Sequence, residues 1–242
     1  MNAGALAERL VLWIREKVSS SGRRGVVLGM SGGVDSSVVA VLCQRTFPQS
    51  TIGVLMPCYS SQEDEQHAVA LARKFSIPTK TVVLDSVFDT LLKVLPDDTA
   101  DPTAIRLAEA NLKVRLRMLT LYYFANQLNY IVVGSGNRSE LAVGYFTKYG
   151  DGGVDILPLG NLVKAQVKEL ASFLGIPQEI IDKPPSAGLW EGQTDEGELG
   201  FSYDELDRYL ATGKASDKVK KKIESMMMAG EHKRLPPSLP AF

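Results

Sequence analysis

Six residues, Ser31-Gly32-Gly33-Val34-Asp35-Ser36, have the types and spacing to hold an anion. They lie between the apolar run 25–30 and the helical run 37–45, which makes them a strand-to-helix turn. Two glycines without a Cβ let the backbone approach a phosphate closely, and the helix that follows adds free N–H groups and the positive end of its dipole. Ser31 and Ser36 contribute hydroxyl donors. Asp35 would repel a phosphate in the same turn unless a cation stood between them, so its presence points to Mg²⁺. The turn is not a Walker A loop: nothing reads G-x-x-x-x-G-K-[ST], and the pair Gly213-Lys214 continues into Ala215.

A helix terminus contributes only roughly 0.3–1 kcal/mol toward one anionic group, so a polyphosphate needs further charge. In Gly134-Ser135-Gly136-Asn137-Arg138-Ser139-Glu140, at another strand end, Glu140 is either a second metal carboxylate beside Asp35 or a surface acid behind a helix cap. Ser139 occupies the third glycine position of a dinucleotide fingerprint and excludes that motif. Along the long helix expected over 103–128, Asn111, Arg115 and Met118 share one stripe. With Leu107 and Ala108 beside it, Arg115 is expected to reach inward or across an interface to a ligand. Glu109, Lys113 and Arg117 form a second stripe, read as a solvated ion-pair ladder. The segment 144–151 places three aromatic rings, Lys148 and Asp151 among glycines, as a functional loop would. Lys164 stands near a helix start, where the dipole disfavours it, so another partner must hold it there. The run 218–222 reads as a solvated helix face, and His67 and His232 are too isolated for a zinc site.

These residues must be carried by alternating strands and helices. Leu6, Leu10, Trp13, Ile14 and Val18 recur at helical spacing, and apolar runs at 25–30, 51–56, 79–84 and 130–134 read as strands. Between the strands lie helices over 37–45, from a Ser60/Glu63 capping box toward Lys74, over 86–95 and over 103–128, with a polar turn at 96–102. After the 144–153 loop come a helix over 162–174, a long polar stretch at 182–201, two short helices and a Pro-rich tail. This order predicts an α/β fold, a doubly wound and mainly parallel sheet with helices on both faces. Ligands bind such sheets beyond the carboxyl ends of the strands, where the turns at Ser31 and Gly134 both fall.

With 242 residues and 45% apolar content, one domain over 1–242 is expected. The 28 acidic and 27 basic side chains leave no global field for nucleic acid. Cys43 and Cys58 form no C-x-x-C pair and suit a reducing compartment. Neither a signal peptide nor a bilayer-spanning run is visible, so a soluble cytoplasmic protein without a membrane partner is expected.

The motifs together resemble the ammonia-dependent NAD⁺ synthetases, members of the N-type ATP pyrophosphatases, whose fold is adenine nucleotide alpha-hydrolase-like. The resemblance rests on S-G-G-V-D-S at Ser31, M-P-C-Y-S-S at Met56, N-L-K-V-R-L-R-M at Asn111, G-S-G-N-R-S-E-L at Gly134 and G-Y-F-T-K-Y-G-D at Gly144. It continues through Lys164, the motif from Lys183 to Gly200, and His232-Lys233-Arg234. It implies that Gly29, Ser31, Gly32, Gly33, Val34, Asp35 and Ser36 hold ATP phosphates, with Ser135, Lys164 and Ser186 also at ATP. Asp35 and Glu140 would bind Mg²⁺. Arg115, Lys148, Asp155, His232 and Lys233 would contact deamido-NAD⁺, and Asp151 would be a further acidic position near ammonia or a second metal. Ser135, Ser186 and Arg138 stand where many relatives carry threonine, threonine and lysine, swaps that keep a hydroxyl or a charge.

The implied reaction amidates deamido-NAD⁺ to NAD⁺ through a nicotinyl adenylate, releasing pyrophosphate and then AMP. The charge set Asp35, Lys164 and Asp151 would serve it, with 183–200 as a lid that excludes water. The chain has no space for a glutaminase domain, so free ammonia, or ammonia from a separate glutaminase, is expected, and the family commonly forms homodimers. Two rivals are another adenylating enzyme of the superfamily, disfavoured by the Gly144 motif, and a nucleotide sensor, disfavoured by retention of Asp35, Glu140 and Lys164.

Overall fold

The computed structural model describes residues 2–96, 101–190 and 192–241. Positions 97–100 of the expected polar turn, Glu191 of the expected lid and the last residue of the Pro-rich tail lie outside the described residues. Four parallel strands, β1 (Val26–Gly29), β2 (Thr51–Leu55), β3 (Thr79–Thr81) and β4 (Ile131–Val132), pair in the order β3-β2-β1-β4. β1 is central, with Val26 opposite both Thr51 and Ile131.

The helices are α1 (Ala3–Ser20), α2 (Val34–Thr46), α3 (Gln62–Lys74), α4 (Asp85–Val94), α5 (Pro102–Leu128), α6 (Arg138–Val143), α7 (Lys164–Leu174), α8 (Gln178–Asp182), α9 (Asp195–Leu199), α10 (Tyr203–Thr212), α11 (Asp217–Ala229) and α12 (Glu231–Arg234). Side chains of a strand alternate between its faces. Val26 and Leu28 accordingly pack with α1, α2, α3 and α7, while Val27 joins Val54 and Val132 against α4 and α5. The apolar run of α2 is buried on every side, with each residue from Val38 to Cys43 at most 1% exposed. A third cluster, Val143, Leu199, Phe201, Leu206 and Ile223, joins α6, α9, α10 and α11 beside the carboxyl edge of the sheet. No helix of the described residues is long and apolar enough to cross a membrane.

Several elements differ from expectation. β3 ends at Thr81, and β4 is two residues long, although Val133 N still donates to Val27 O at 2.9 Å and pairs with Ile156 in a single bridge. The helix after the turn starts at Val34 rather than Ser37, which puts Asp35 and Ser36 in its first turn. The Ser60/Glu63 capping box does not form. Ser61 is the N-cap of α3, Ser60 Oγ accepts from Cys58 N and Arg117 Nη2, and Glu63 turns toward Lys183. α7 begins at Lys164, the polar stretch at 182–201 contains α9, and α10 and α11 are followed by the short α12.

Candidate active site

β1 ends at Gly29, and the chain turns through Ser31–Gly33 into α2 at the carboxyl edge of the sheet. Gly32 has φ +83°, and a Cβ there would lie 2.2 Å from the carbonyl oxygen of Asp64 in the first turn of α3. Only glycine fits, because α3 is stacked directly on the turn. Ser36 Oγ donates to Gly33 O at 3.0 Å and lies 3.0 Å from Ser31 Oγ, while Gly33 N donates to Ser31 Oγ at 3.3 Å. These bonds fix the turn, and the first amides of α2 have no intrahelical acceptor.

Asp35 faces Lys164 across the cleft. The Lys164 side chain, 5% exposed, ion-pairs with Asp35 and lies 3.6 Å from Glu140 and 5.0 Å from the centre of the Tyr203 ring. Its awkward place at the start of α7 is explained by Asp207, which accepts from Ala165 N at 2.8 Å and from Ser139 Oγ at 2.5 Å, while Ser139 Oγ accepts from Lys164 N at 3.1 Å. Glu140 and Asn137 cap α6 reciprocally, and Asn137 Nδ2 also donates to Asp35 Oδ1 at 2.9 Å. Glu140 is thus both a cap and a carboxylate of the cleft. Burial pushes its carboxyl well above the ordinary range, and nearby Asp35 adds to this against the opposing pull of Lys164. Burial disfavours the Lys164 ammonium, but Asp35 and Glu140 outweigh it and hold the charge more firmly than usual.

A cavity of about 580 Å³ unites the turn with these groups. Gly29, Ser31, Gly33, Val34, Asp35, Ser36, Ser135, Glu140, Asp151, Lys164, Ser186 and Lys233 line it, and Gly32 lies buried beneath Asp64. Asp151 accepts from Thr147 N at 2.7 Å. The surrounding protein pushes its carboxyl up, against that bond, although the residue keeps solvent contact along the cleft. Lys233 Nζ donates to Gly144 O at 2.8 Å and Phe146 O at 2.9 Å, which anchors α12 to the 144–151 loop.

Arg115, Lys148, Asp155 and His232 lie off this cavity. Lys148 Nζ donates to His232 O at 2.5 Å, and Asp155 borders a separate hollow of about 240 Å³ with Arg23, Tyr122 and Tyr130. Arg115 is exposed rather than inward, with its guanidinium on Lys148 O at 3.3 Å. Arg117 is the arginine that faces the cleft, donating to Met56 O at 3.2 Å and Ser60 Oγ at 3.1 Å. The supposed solvated ladder is therefore incorrect. Arg117 belongs to the buried stripe Ala110, Val114, Leu121, whereas Leu107 and Leu119, near Arg115, are exposed. Lys113 likewise turns to the lid, donating to Leu189 O at 3.0 Å.

The expected lid is docked by side chains on both flanks. Tyr145 donates to Asp195 at 3.2 Å and to Glu198, Tyr203 donates to Asp195 at 3.0 Å, and Arg106 stacks on Trp190 at 5.3 Å. Ser186 Oγ donates to Gln193 O at 2.8 Å. Asp195, Glu198 and Asp207 were not singled out from the sequence, since their partners lie up to 68 residues away. Tyr145, one of the three rings of the 144–151 loop, closes a hydrogen-bonded corner.

Two carboxylates converging on one cation in a cleft are a hard oxygen pair of the kind Mg²⁺ takes alongside phosphate oxygens. Asp35 and Glu140 therefore fit such an ion.

The family model for NAD synthase matches residues 6–237. The NH(3)-dependent NAD(+) synthetase of Carboxydothermus hydrogenoformans is 49% identical, over 96% of this chain and 96% of its own. That of Archaeoglobus fulgidus is 44% identical over 98% and 97%. Among solved structures, the NMN synthetase from Francisella tularensis superposes with a TM-score of 0.93 at 36% identity, covering 100% of both chains. The NH3-dependent NAD synthetase from Campylobacter jejuni gives 0.83 at 28%, again over 100% of both. On sequence and on fold alike, this chain belongs to the NAD synthase family.

Proposed function

We propose that this protein is a carbon–nitrogen ligase that amidates deamido-NAD⁺ to NAD⁺, using ammonia and splitting ATP into AMP and pyrophosphate. The observation that carries this reading is the single cavity in which a glycine turn, two convergent carboxylates and a buried lysine meet. A carboxylate resists ammonia because its leaving group would be oxide, so it must first be activated. The nicotinate oxygen attacks the α-phosphorus, the bond to the β-phosphate oxygen breaks, and pyrophosphate leaves. Ammonia then adds to the acyl carbon, and collapse of the tetrahedral adduct expels AMP.

The chain's own groups position two anions and balance charge, so no covalent nucleophile is needed. The amides of the turn and of early α2, with Ser31, Ser36, Ser135 and Ser186, orient the phosphates, and Lys164 meets the charge that grows at phosphorus. Mg²⁺, held by Asp35 and Glu140, supplies further charge stabilisation at the phosphates when bound. Asp151, on the rim, takes the proton released as ammonia adds. The 183–200 lid keeps water from the adenylate.

The dinucleotide extends outside the cavity over Arg115, Lys148 and His232, and Asp155 meets it from its separate hollow. Exposed Leu119 and Tyr123 follow Arg115 on the same helix stripe, which favours a homodimer with the substrate at its interface. One undivided domain working in the cytoplasm accords with this reading. A second substrate, the nicotinate mononucleotide, is favoured by one observation, the TM-score of 0.93 to the Francisella NMN synthetase. The test supplies ATP, Mg²⁺ and ammonium with either the dinucleotide or the mononucleotide. AMP and NAD⁺ in equal amounts support the main reading, faster turnover of the mononucleotide selects the second, and ADP as product overturns both.

A further inference from the structure

Among the described residues, seven carboxylates and four cations line the cavity. A polyphosphate entering it meets net negative charge, and every one of the four cations is already engaged. Arg117 and Lys233 donate to backbone carbonyls, which are neutral partners, so neither releases a charge when a phosphate arrives. Lys164 and Lys183 are different, because each is held by a pair of carboxylates.

Lys183 opens the lid segment at the end of α8. Its ammonium pairs with Asp64 and lies 3.3 Å from Glu63, both in the first turn of α3. The backbone of Asp64 is the surface on which Gly32 of the phosphate turn is stacked, and its Oδ2 lies 3.3 Å from where a Cβ on Gly188 would be. Asp64 thus touches the turn with its backbone and the lid with its side chain. Lys183 stands beside the turn, in the same cavity as Ser36 and Lys164.

We infer that Lys183 is a polyphosphate-binding residue of the lid, held on Asp64 and Glu63 while the cavity is empty and transferred to the outer phosphates of the nucleotide when it fills. Charge-assisted bonds to phosphate and to carboxylate are of similar strength, so the exchange costs little and couples occupancy of the turn to the position of the lid. The inference rests on the assignment of this cavity to ATP.

The experiment measures ATP and AMP affinity by calorimetry, with Mg²⁺ present, for the wild-type protein, K183M, K183R and D64N. Loss of one charged phosphate contact is expected to weaken ATP about tenfold in K183M and to leave AMP unchanged, with K183R recovering most of the loss. D64N leaves Lys183 held by Glu63 alone and is expected to bind ATP as tightly as wild type or more tightly. If Lys183 only pins the lid, D64N and K183M break the same pin and weaken ATP and AMP alike, which overturns the inference. Wild-type protein that binds no ATP defeats the underlying assignment instead.

Discussion

The phosphate turn and the lid face each other across one cavity, but they are held by different forces. The turn is a product of the core. α2 is buried along nearly its whole length, α3 presses on Gly32, and among the described residues the serines of the turn bond to the turn itself. The lid is anchored in the core only at its far end, where Leu199 is buried, and the rest is held by polar side chains: Lys183 to Asp64, Lys113 to Leu189 O, Tyr145 to Asp195 and Glu198. Burial of apolar surface fixes a site permanently, whereas partly exposed ion pairs and hydrogen bonds each contribute little and can be exchanged for a ligand. The anion cradle is therefore expected to exist before the nucleotide arrives, and the lid to respond to it.

The largest break of this contrast comes from Asp35→Ala. It removes the counter-charge of Lys164 and one metal carboxylate together, and NAD⁺ formation is expected to fall about a thousandfold, measured by AMP release. Gly32→Ala tests whether the turn is built by packing. A side chain at positive φ against the Asp64 carbonyl is expected to cost on the order of 3 kcal/mol, read from the urea midpoint, and an unchanged midpoint would contradict the close stacking seen here. Tyr145→Phe addresses the lid alone. Its loss of hydrogen bonds is expected to be worth about 1 kcal/mol and to raise protease cleavage within 183–200 about fivefold without ligand, while the global midpoint barely moves.

The last effect is a slope. Because the folded protein raises the Glu140 carboxyl, the folded state holds a proton that the unfolded chain gives up at lower pH. That contribution is complete below the ordinary glutamate range and is lost as pH climbs through the raised value. Ligand-free protein is thus expected to lose stability between about pH 5 and pH 8, and Glu140→Gln to flatten the trend.

Legibility in the sequence followed the same division. Ser31 to Ser36 could be read because glycines, hydroxyls and a carboxylate between an apolar strand and an apolar helix have few other uses. The parallel order of the sheet followed from the alternation of elements, although β3 and β4 are shorter than their apolar runs: β3 pairs with β2 alone, and beyond β1 the partner of β4 is only the short segment at 155–156. Arg117 was misread despite a signal in plain view, its register with Ala110, Val114 and Leu121, because the charges at Glu109 and Lys113 drew it onto a solvated face. Asp207 gave no local sign. Its work is to hold Ser139 and the start of α7, and only the fold brings those segments together. Lys183 and Asp64 were likewise separate charges until α3 and the lid met.

The chemistry at the centre of this account is attack by a carboxylate oxygen on the first phosphorus of ATP. Deamido-NAD⁺ carrying isotopically heavy oxygen in its nicotinate carboxylate tests it directly, with the products resolved by mass. One heavy oxygen is predicted to appear in the phosphate of AMP for each NAD⁺ formed; AMP without label, or ADP in its place, would contradict it.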